Sequence, residues 1–386
     1  MDNLTHSLVG LAAAKAGLER VSPYATGVCI VAANLPDADI VAAFDGQWNY
    51  LHHHRGITHS IIGTLVLAVL VPVVFYVGDF IVARIKRRDV RARFGGLLLA
   101  SLILSATHPL FDWTNNYGVR PLLPWSDAWY YGDLVFIIDP WLWLSLGGAA
   151  FLLTTPTKWR VAAWSIIAVA ITGAIILLPL RSDVEYPLVS RVLWAAGLVG
   201  LVFAHRAQLA ARWGASIAAA ALALVVVYWA GLSVMHHKAL QQARAVAGHV
   251  AAENREQVVK VAAMPTLANP LRWRCVMETN LATYRFELVT NNSDGYDAVA
   301  RDVLRIKKLA DEEALWVDRQ IAADQRAQIL LAFARFPVTR LQGGCLSATL
   351  VQFADLRYTE PGASRGNFAL EIPVAEALRS EEMIAP

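Results

Sequence analysis

Apolar stretches long enough to cross a bilayer recur along this chain, and they exclude most folds before any motif is read. A helix needs about 20 apolar residues to span the hydrocarbon core. The segments Ile57–Ala83, Phe94–Leu110, Leu134–Leu153, Val161–Leu180, Pro187–Ala204 and Ala215–Val234 meet or approach that length. Two shorter runs precede them, Leu4–Gly17 and Tyr24–Leu35, and are expected to form a thin or tilted hairpin among the others. The expectation is an all-α polytopic membrane domain of six to eight helices. Composition agrees: 17 % of residues are charged, against roughly a quarter in soluble proteins. A net charge of +3 is too small to argue for nucleic acid as a partner. The first residues lack a basic region ahead of the apolar run, so they read as mature protein and not as a signal peptide.

Positive charge orients the helices. The loop ARIKRRDVRARF carries Arg84, Lys86, Arg87, Arg88, Arg91 and Arg93 against one aspartate, which marks it as cytoplasmic. Alternation then places the basic pairs Lys158/Arg160 and Arg206/Arg212 inside, and the loop RSDVEYP outside. The same count puts the chain beyond about His236 outside, which in a bacterial inner membrane is the periplasm.

That region changes character. RWRCVMETN, TYRFELVTN, CLSATLVQFADLRY and FALEIPV are strand-like, and DEEALWVDRQIAADQRAQILLAFARF has helical spacing. The expected organisation is a helical membrane domain over 1–235, a helical connector over 236–260, and a small α+β extramembrane domain over 261–386. Cys29 lies in an apolar run and reads as core. Cys275 and Cys345 both fall in the C-terminal region and would pair only in an oxidising compartment.

Histidines and aspartates mark the helix ends. His6 opens the first run; Asp37 and Asp39 in NLPDADI close the second. HHHRGITHS places His54, Arg55 and His59 ahead of the third, with His52 and His53 read as spectators. His108 and Asp112 in HPLFDW close the fourth, and Asp133 and Asp139 flank the fifth. On the inferred topology all of these lie at one membrane face. Imidazole and carboxylate are the donors that zinc and similar ions take, and a catalytic site keeps one position open for water. His108 and Asp112 are four residues apart, so a helix presents both on one side. Ionisable groups at membrane depth are costly and point to function; solvated helix ends are the plainer reading of any single one of them.

The elements LTHSLVG, LPDADI, HRGITHS and HPLFDWTNNYGVRPLLPW, in this order over roughly the first 140 residues, resemble the bacterial inner-membrane metal-dependent hydrolase family of the YdjM/YfhP type. The resemblance implies a divalent-metal site, most simply zinc, built from His6, Asp37, Asp39, His54, His59, His108 and Asp112. It also implies a distant relation to helical zinc-dependent phospholipase C and nuclease folds. The chain departs from those enzymes in being membrane-embedded and in lacking an N-terminal tryptophan ligand.

The leading functional expectation is a hydrolase acting on a phosphoester or phospholipid headgroup at the outer face, with membrane lipid as its surroundings. Asp37 or Asp39 would be ligand or general base, and Arg55 would clamp phosphate. There is no HExxH to suggest peptidase chemistry of that type. Ser60 and Thr58 read as helix-starting residues. Trp113, Trp125, Trp129, Tyr130 and Tyr131 read as an interfacial aromatic belt before a substrate wall. Two readings from other classes stand beside it: an ion-transporter component, since membrane His and Asp also mark ion paths, and a non-catalytic scaffold with a structural metal.

Overall fold

The computed structural model describes residues 1–181, 186–290, 300–343, 348–363 and 368–375. Among them are twelve α-helices, three 3-10 segments and seven strands. Six helical segments are long and apolar enough to cross a membrane: Ala25–Asp45, Ile61–Ile85, Phe94–Trp113, Lys158–Ile175, Leu188–Arg206 and Ala215–Asn254. The chain is a multi-pass helical membrane protein followed by a smaller part with two antiparallel sheets. It divides into two compact units, the first made of 1–39, 55–236 and 264–270, the second of 40–54, 237–263 and 271–386.

In the first unit, α1 (Asn3–Ala16) starts at Asp2, whose carboxylate accepts from the Thr5 amide at 2.9 Å. It packs against α2 (Ala25–Asn34), which a 3-10 segment (Leu35–Asp45) prolongs. The two helices touch at Gly10, where a Cβ would stand 2.7 Å from the Cys29 carbonyl oxygen; only glycine permits that approach. Leu8, Val9, Ala12, Val28, Cys29 and Ala32 meet Leu97, Ala100 and Leu104 of α5 (Phe94–Trp113) in the core. Small residues at these contacts suit helix packing in lipid, where close backbone approach replaces the hydrophobic drive.

α4 (Ile61–Ile85) begins at Ser60, whose hydroxyl accepts from the Gly63 amide at 3.1 Å, so Ser60 is the expected helix cap. Thr58 is not a cap. Pro140–Thr154 forms α6, 15 residues long. At 1.5 Å per residue that is about 22 Å, short of the roughly 30 Å hydrocarbon core. The expected span from Leu134 is therefore not helical throughout. The amides of Leu134 and Val135 donate to the Thr114 carbonyl instead, at 2.7 and 3.0 Å. Asp139 then caps α6 through the Trp141 and Leu142 amides, with Pro140 in the first turn. The reverse happens at Tyr24–Leu35, which the structure extends to a 21-residue candidate span ending at Asp45. Helices α7 (Lys158–Arg181), α8 (Leu188–Arg206), α9 (Leu209–Trp213) and α10 (Ala215–Asn254) follow. Of the loop RSDVEYP, residues 182–185 lie outside the described residues.

The second unit contains α3 (Gln47–His53) and a four-stranded sheet in the order β1-β2-β3-β4: β1 (Val258–Thr266), β2 (Asn269–Thr279), β3 (Ala282–Val289) and β4 (Ala300–Lys307). Its core is alternate-residue packing, with Trp273, Cys275 and Met277 of β2 buried beside Tyr284, Phe286 and Leu288 of β3. A second sheet runs β5 (Pro337–Gly343), β6 (Ala348–Asp355) and β7 (Ala369–Ala375). The segment with helical spacing is two helices, α11 (Asp311–Ile321) and α12 (Gln325–Phe333). Asp324 restarts the second by accepting from the Arg326 and Ala327 amides. The expected connector is the far end of the 40-residue α10 and the start of β1. Cys345, and any pairing with Cys275, lies outside the described residues.

Candidate metal centre

Four chain segments of the first unit end at one point. α1 brings His6, the turn after α2 brings Asp37 and Asp39, the 3-10 turn Ile57–His59 brings His59, and the last turn of α5 brings His108 and Asp112. His6, His59, His108 and Asp112 are at most 1 % exposed, while Asp37 and Asp39 are each 9 % exposed. The two aspartates before α3 are therefore the groups nearest to solvent.

At the centre, His59 Nε2 stands 3.0 Å from His108 Nε2. His59 Nε2 lies 3.4 Å from Asp37 Oδ1 and 3.2 Å from Asp112 Oδ2. His108 Nε2 is 3.5 Å from each of the same two oxygens. Zinc ligands sit about 2.0–2.1 Å from the ion in a tetrahedron, which separates them by about 3.3 Å from one another. The observed spacings scatter around that value. Asp37, His59, His108 and Asp112 form a buried cluster able to hold a metal ion.

The outer nitrogens of both imidazoles are held. His108 Nδ1 meets the Ala33 carbonyl oxygen at 2.7 Å, so it donates there and its Nε2 keeps a lone pair facing the cluster. His59 Nδ1 lies 3.0 Å from Thr58 Oγ1 and 3.4 Å from Asp39 Oδ2, an arrangement that likewise turns Nε2 inward. Metal-binding histidines typically have such an outer partner to fix tautomer and orientation. Without an ion the cluster brings two imidazole nitrogens together, and Asp112 Oδ2 and His6 Nε2 are buried without a hydrogen bond. The residues fit a divalent cation.

Asp112 links this centre to its surroundings. Its Oδ1 accepts from the Met1 amino group, lies 3.4 Å from His6 Nε2, and accepts from the Arg55 guanidinium at 3.1 Å. The His6 ring stacks on His108, with centroids 3.9 Å apart. The Arg55 guanidinium is fully buried. It donates to the Asp112 and Gly118 carbonyls at 3.2 Å and to Asn115 Oδ1 at 2.9 Å, and it sits 4.7 Å from the centre of the Tyr117 ring. Its backbone is left-handed, at φ 55°, a cost of about 1 kcal/mol or more. The Arg55 amide offsets this by donating to Asp39 Oδ2 at 3.0 Å. Gly63 is needed here too, because a side chain would strike the Ile57 carbonyl in the turn that carries His59.

The structure thus brings together His6, Asp37, Asp39, Arg55, His59, His108 and Asp112. His54 belongs to the second unit, where its ring stacks on Tyr50 at 4.6 Å. Asp139 caps α6 and accepts from the Tyr228 hydroxyl at 2.9 Å, apart from the cluster. Trp113, Trp125 and Tyr130 are exposed, whereas Trp129 carries the Arg120 guanidinium 4.6 Å from its ring centre. Sequence reading missed Thr58 and Asn115 as parts of the site. Both sit inside quoted motifs, HRGITHS and WTNNYGV, but neither residue type signals a partner by itself.

YfhP of Bacillus subtilis (strain 168), an uncharacterized protein, is 28 % identical to this chain over 155 residues, which is 38 % of this chain and 44 % of that protein. The match therefore spans less than half of the relative's length. No solved structure matches. Every clustered group lies within residues 1–181, and over those residues the chain matches the YdjM inner membrane protein family.

Proposed function

We propose that this membrane protein is a metal-dependent hydrolase of a phosphoester, working at the outer face of the inner membrane. One observation carries the reading: two imidazoles and two carboxylates stand at tetrahedral edge distances, with both outer imidazole nitrogens already engaged. The two-nitrogen, two-oxygen donor set suits zinc. His59, His108, Asp37 and Asp112 would hold the ion, which when bound supplies Lewis-acid polarisation and a more acidic water.

The chain's own residues do the rest. Asp39 holds His59 in orientation and is open enough to take a proton from the attacking water. Water oxygen bonds to phosphorus, the ester P–O bond breaks, and the proton passes on to the leaving oxygen. Arg55 fixes Asp112 rather than offering a free fork, so it acts as a positioning residue in this scheme. His6 backs His108 by ring stacking. The positive-inside pattern supports an outer-face site, and with it a periplasmic C-terminal region.

The test is metal content of the detergent-purified full chain by mass spectrometry, followed by phosphodiester hydrolysis. Wild type should carry about one equivalent of zinc, and His59→Ala and His108→Ala should each lose it together with activity. Metal retained in both variants would overturn the site. Metal lost but no hydrolysis of any phosphoester by wild type would leave a structural centre and overturn the enzyme.

A further inference from the structure

An apolar groove runs through the first unit between α1, α6, α7 and α8. Leu4 and Leu8 of α1, Trp143 and Phe151 of α6, Trp164 of α7 and Trp194 of α8 are its main walls. It encloses about 240 Å³, and no charged side chain lines it. From Trp143 to Phe151 it follows α6 for about 12 Å at 1.5 Å per residue.

The three tryptophans would ordinarily bring three polar N–H groups, yet each is turned away and satisfied. Trp143 Nε1 donates to Asp2 Oδ1 at 3.2 Å and Thr5 Oγ1 at 3.1 Å. Trp164 Nε1 donates to Thr154 Oγ1 and Trp194 Nε1 to Thr172 Oγ1, both at 3.0 Å. Ser165, the one hydroxyl residue in the lining, donates to the Val161 carbonyl at 2.9 Å, and the other walls are hydrocarbon. Midway along, Gly147 and Gly148 leave out side chains that would fill it. At Gly147 a Cβ would meet only Leu8, at 3.7 Å, so space and not backbone conformation keeps the groove open.

One end of the groove lies at the first turns of α1, the helix that also carries His6 on another face. Its first wall residue, Leu4, lies on the same turn of α1 as His6, and Trp143 is bonded to the Asp2 cap of that turn. Its far walls belong to α7 and α8, whose other faces expose Ile166, Val199 and Phe203, as lipid-facing helices do. The medium on that side is hydrocarbon chain.

We propose that this groove seats one acyl chain of a membrane phospholipid, and that the phosphoester presented to the His and Asp cluster belongs to that lipid. The second clause rests on the hydrolase reading; the first does not. A chain lying along α6 would bring its glycerophosphate end toward the first turn of α1, where the cluster lies.

The experiment uses the full chain in phospholipid nanodiscs containing phosphatidylethanolamine with a photoreactive diazirine on one acyl chain. Mass spectrometry then maps the crosslinked residues and, in parallel, the bound metal. The expected result is label concentrated near Phe151, Trp164 and Trp194, reduced at least fivefold in both Gly147→Phe and Ala168→Phe, with metal content unchanged. Unlabelled long-chain phospholipid should compete, whereas a short-chain water-soluble phosphodiester should not. Equal labelling of the lipid-facing residues Leu65, Val66 and Leu70 of α4, unaltered in both variants, would overturn the groove assignment. Groove labelling in a wild type that binds no metal would keep the seat and sink only the hydrolase.

Discussion

Asp39 lies just outside the four central groups, and its contacts show how much of a metal site is decided one layer out. Its Oδ2 accepts from the Arg55 amide at 3.0 Å and from the Thr58 hydroxyl at 3.2 Å, and it stands 3.4 Å from His59 Nδ1. Asp39→Asn keeps the shape but weakens the hold on His59. Loss of such an outer partner commonly costs 10- to 100-fold in metal affinity, and that range is expected here in a competition titration with a zinc chelator. An affinity within twofold of wild type would remove Asp39 from this role. Sequence alone shows that His108 and Asp112 share a helix face, because four-residue spacing does so in any helix. It does not show that Arg55 turns inward to Asp112, since the left-handed turn at Arg55 uses none of the residue types that favour that conformation.

At the scale of elements, the opposite ends of α4 and α5 are tied by a second buried carboxylate. Asp79 accepts from the Tyr24 hydroxyl at 2.9 Å, from the Arg91 and Ala92 amides at 2.6 and 2.8 Å, and from the Arg88 guanidinium at 2.5 Å. One aspartate thus shapes the basic loop between the two helices. Asp79→Ala removes several charge-assisted hydrogen bonds and takes the acceptor from two amides, so hydrogen exchange at Arg91 and Ala92 should speed up by about tenfold or more. Metal content should stay the same, since the loop lies at the helix ends away from the cluster; unchanged exchange would refute the tie. The apolar run around Asp79 identified α4 correctly but hid this group. The limits of α10 and β1 were hidden for another reason. The helix stops at Asn254, and Arg255 is left-handed at φ 57°, where a glycine would have announced the end. The short α6 is a third case, because Leu134–Asp139 is as apolar as a helix but its first amides bond elsewhere.

At the scale of the whole molecule, the two units respond to different variables. The second unit holds a buried carboxylate in Glu256, which accepts from Thr279 Oγ1 at 2.5 Å, from the Tyr284 hydroxyl at 3.0 Å and from Arg305. Burial pushes its pKa up, but the bonds from Arg305, Thr279 and Tyr284 outweigh burial and hold it below the usual glutamate value. A depressed folded-state pKa stabilises above the unfolded value of about 4.3, and that contribution is lost as pH falls through the folded value. Thermal unfolding of this unit should therefore shift to lower temperature below about pH 4.5. Glu256→Gln should be less stable at pH 7 and flatter across the acid range; an identical acid slope would exclude Glu256 as the source. The broad architecture, membrane helices followed by a mixed α+β part, was legible because hydropathy is a property of whole segments. The division into units was less so: residues 40–54 and 264–270 each cross over to the unit their neighbours do not join.

The order of the clustered residues along the chain has a consequence for biogenesis. His6, Asp37, His59, His108 and Asp112 all precede α6, so the cluster has every member once synthesis has passed the end of α5. α7, α8 and α10 follow in the chain, after every member of the cluster has been made. An ion captured at that stage would act as a clasp, locking the first helices in register while the remainder of the polypeptide is still being threaded into the bilayer.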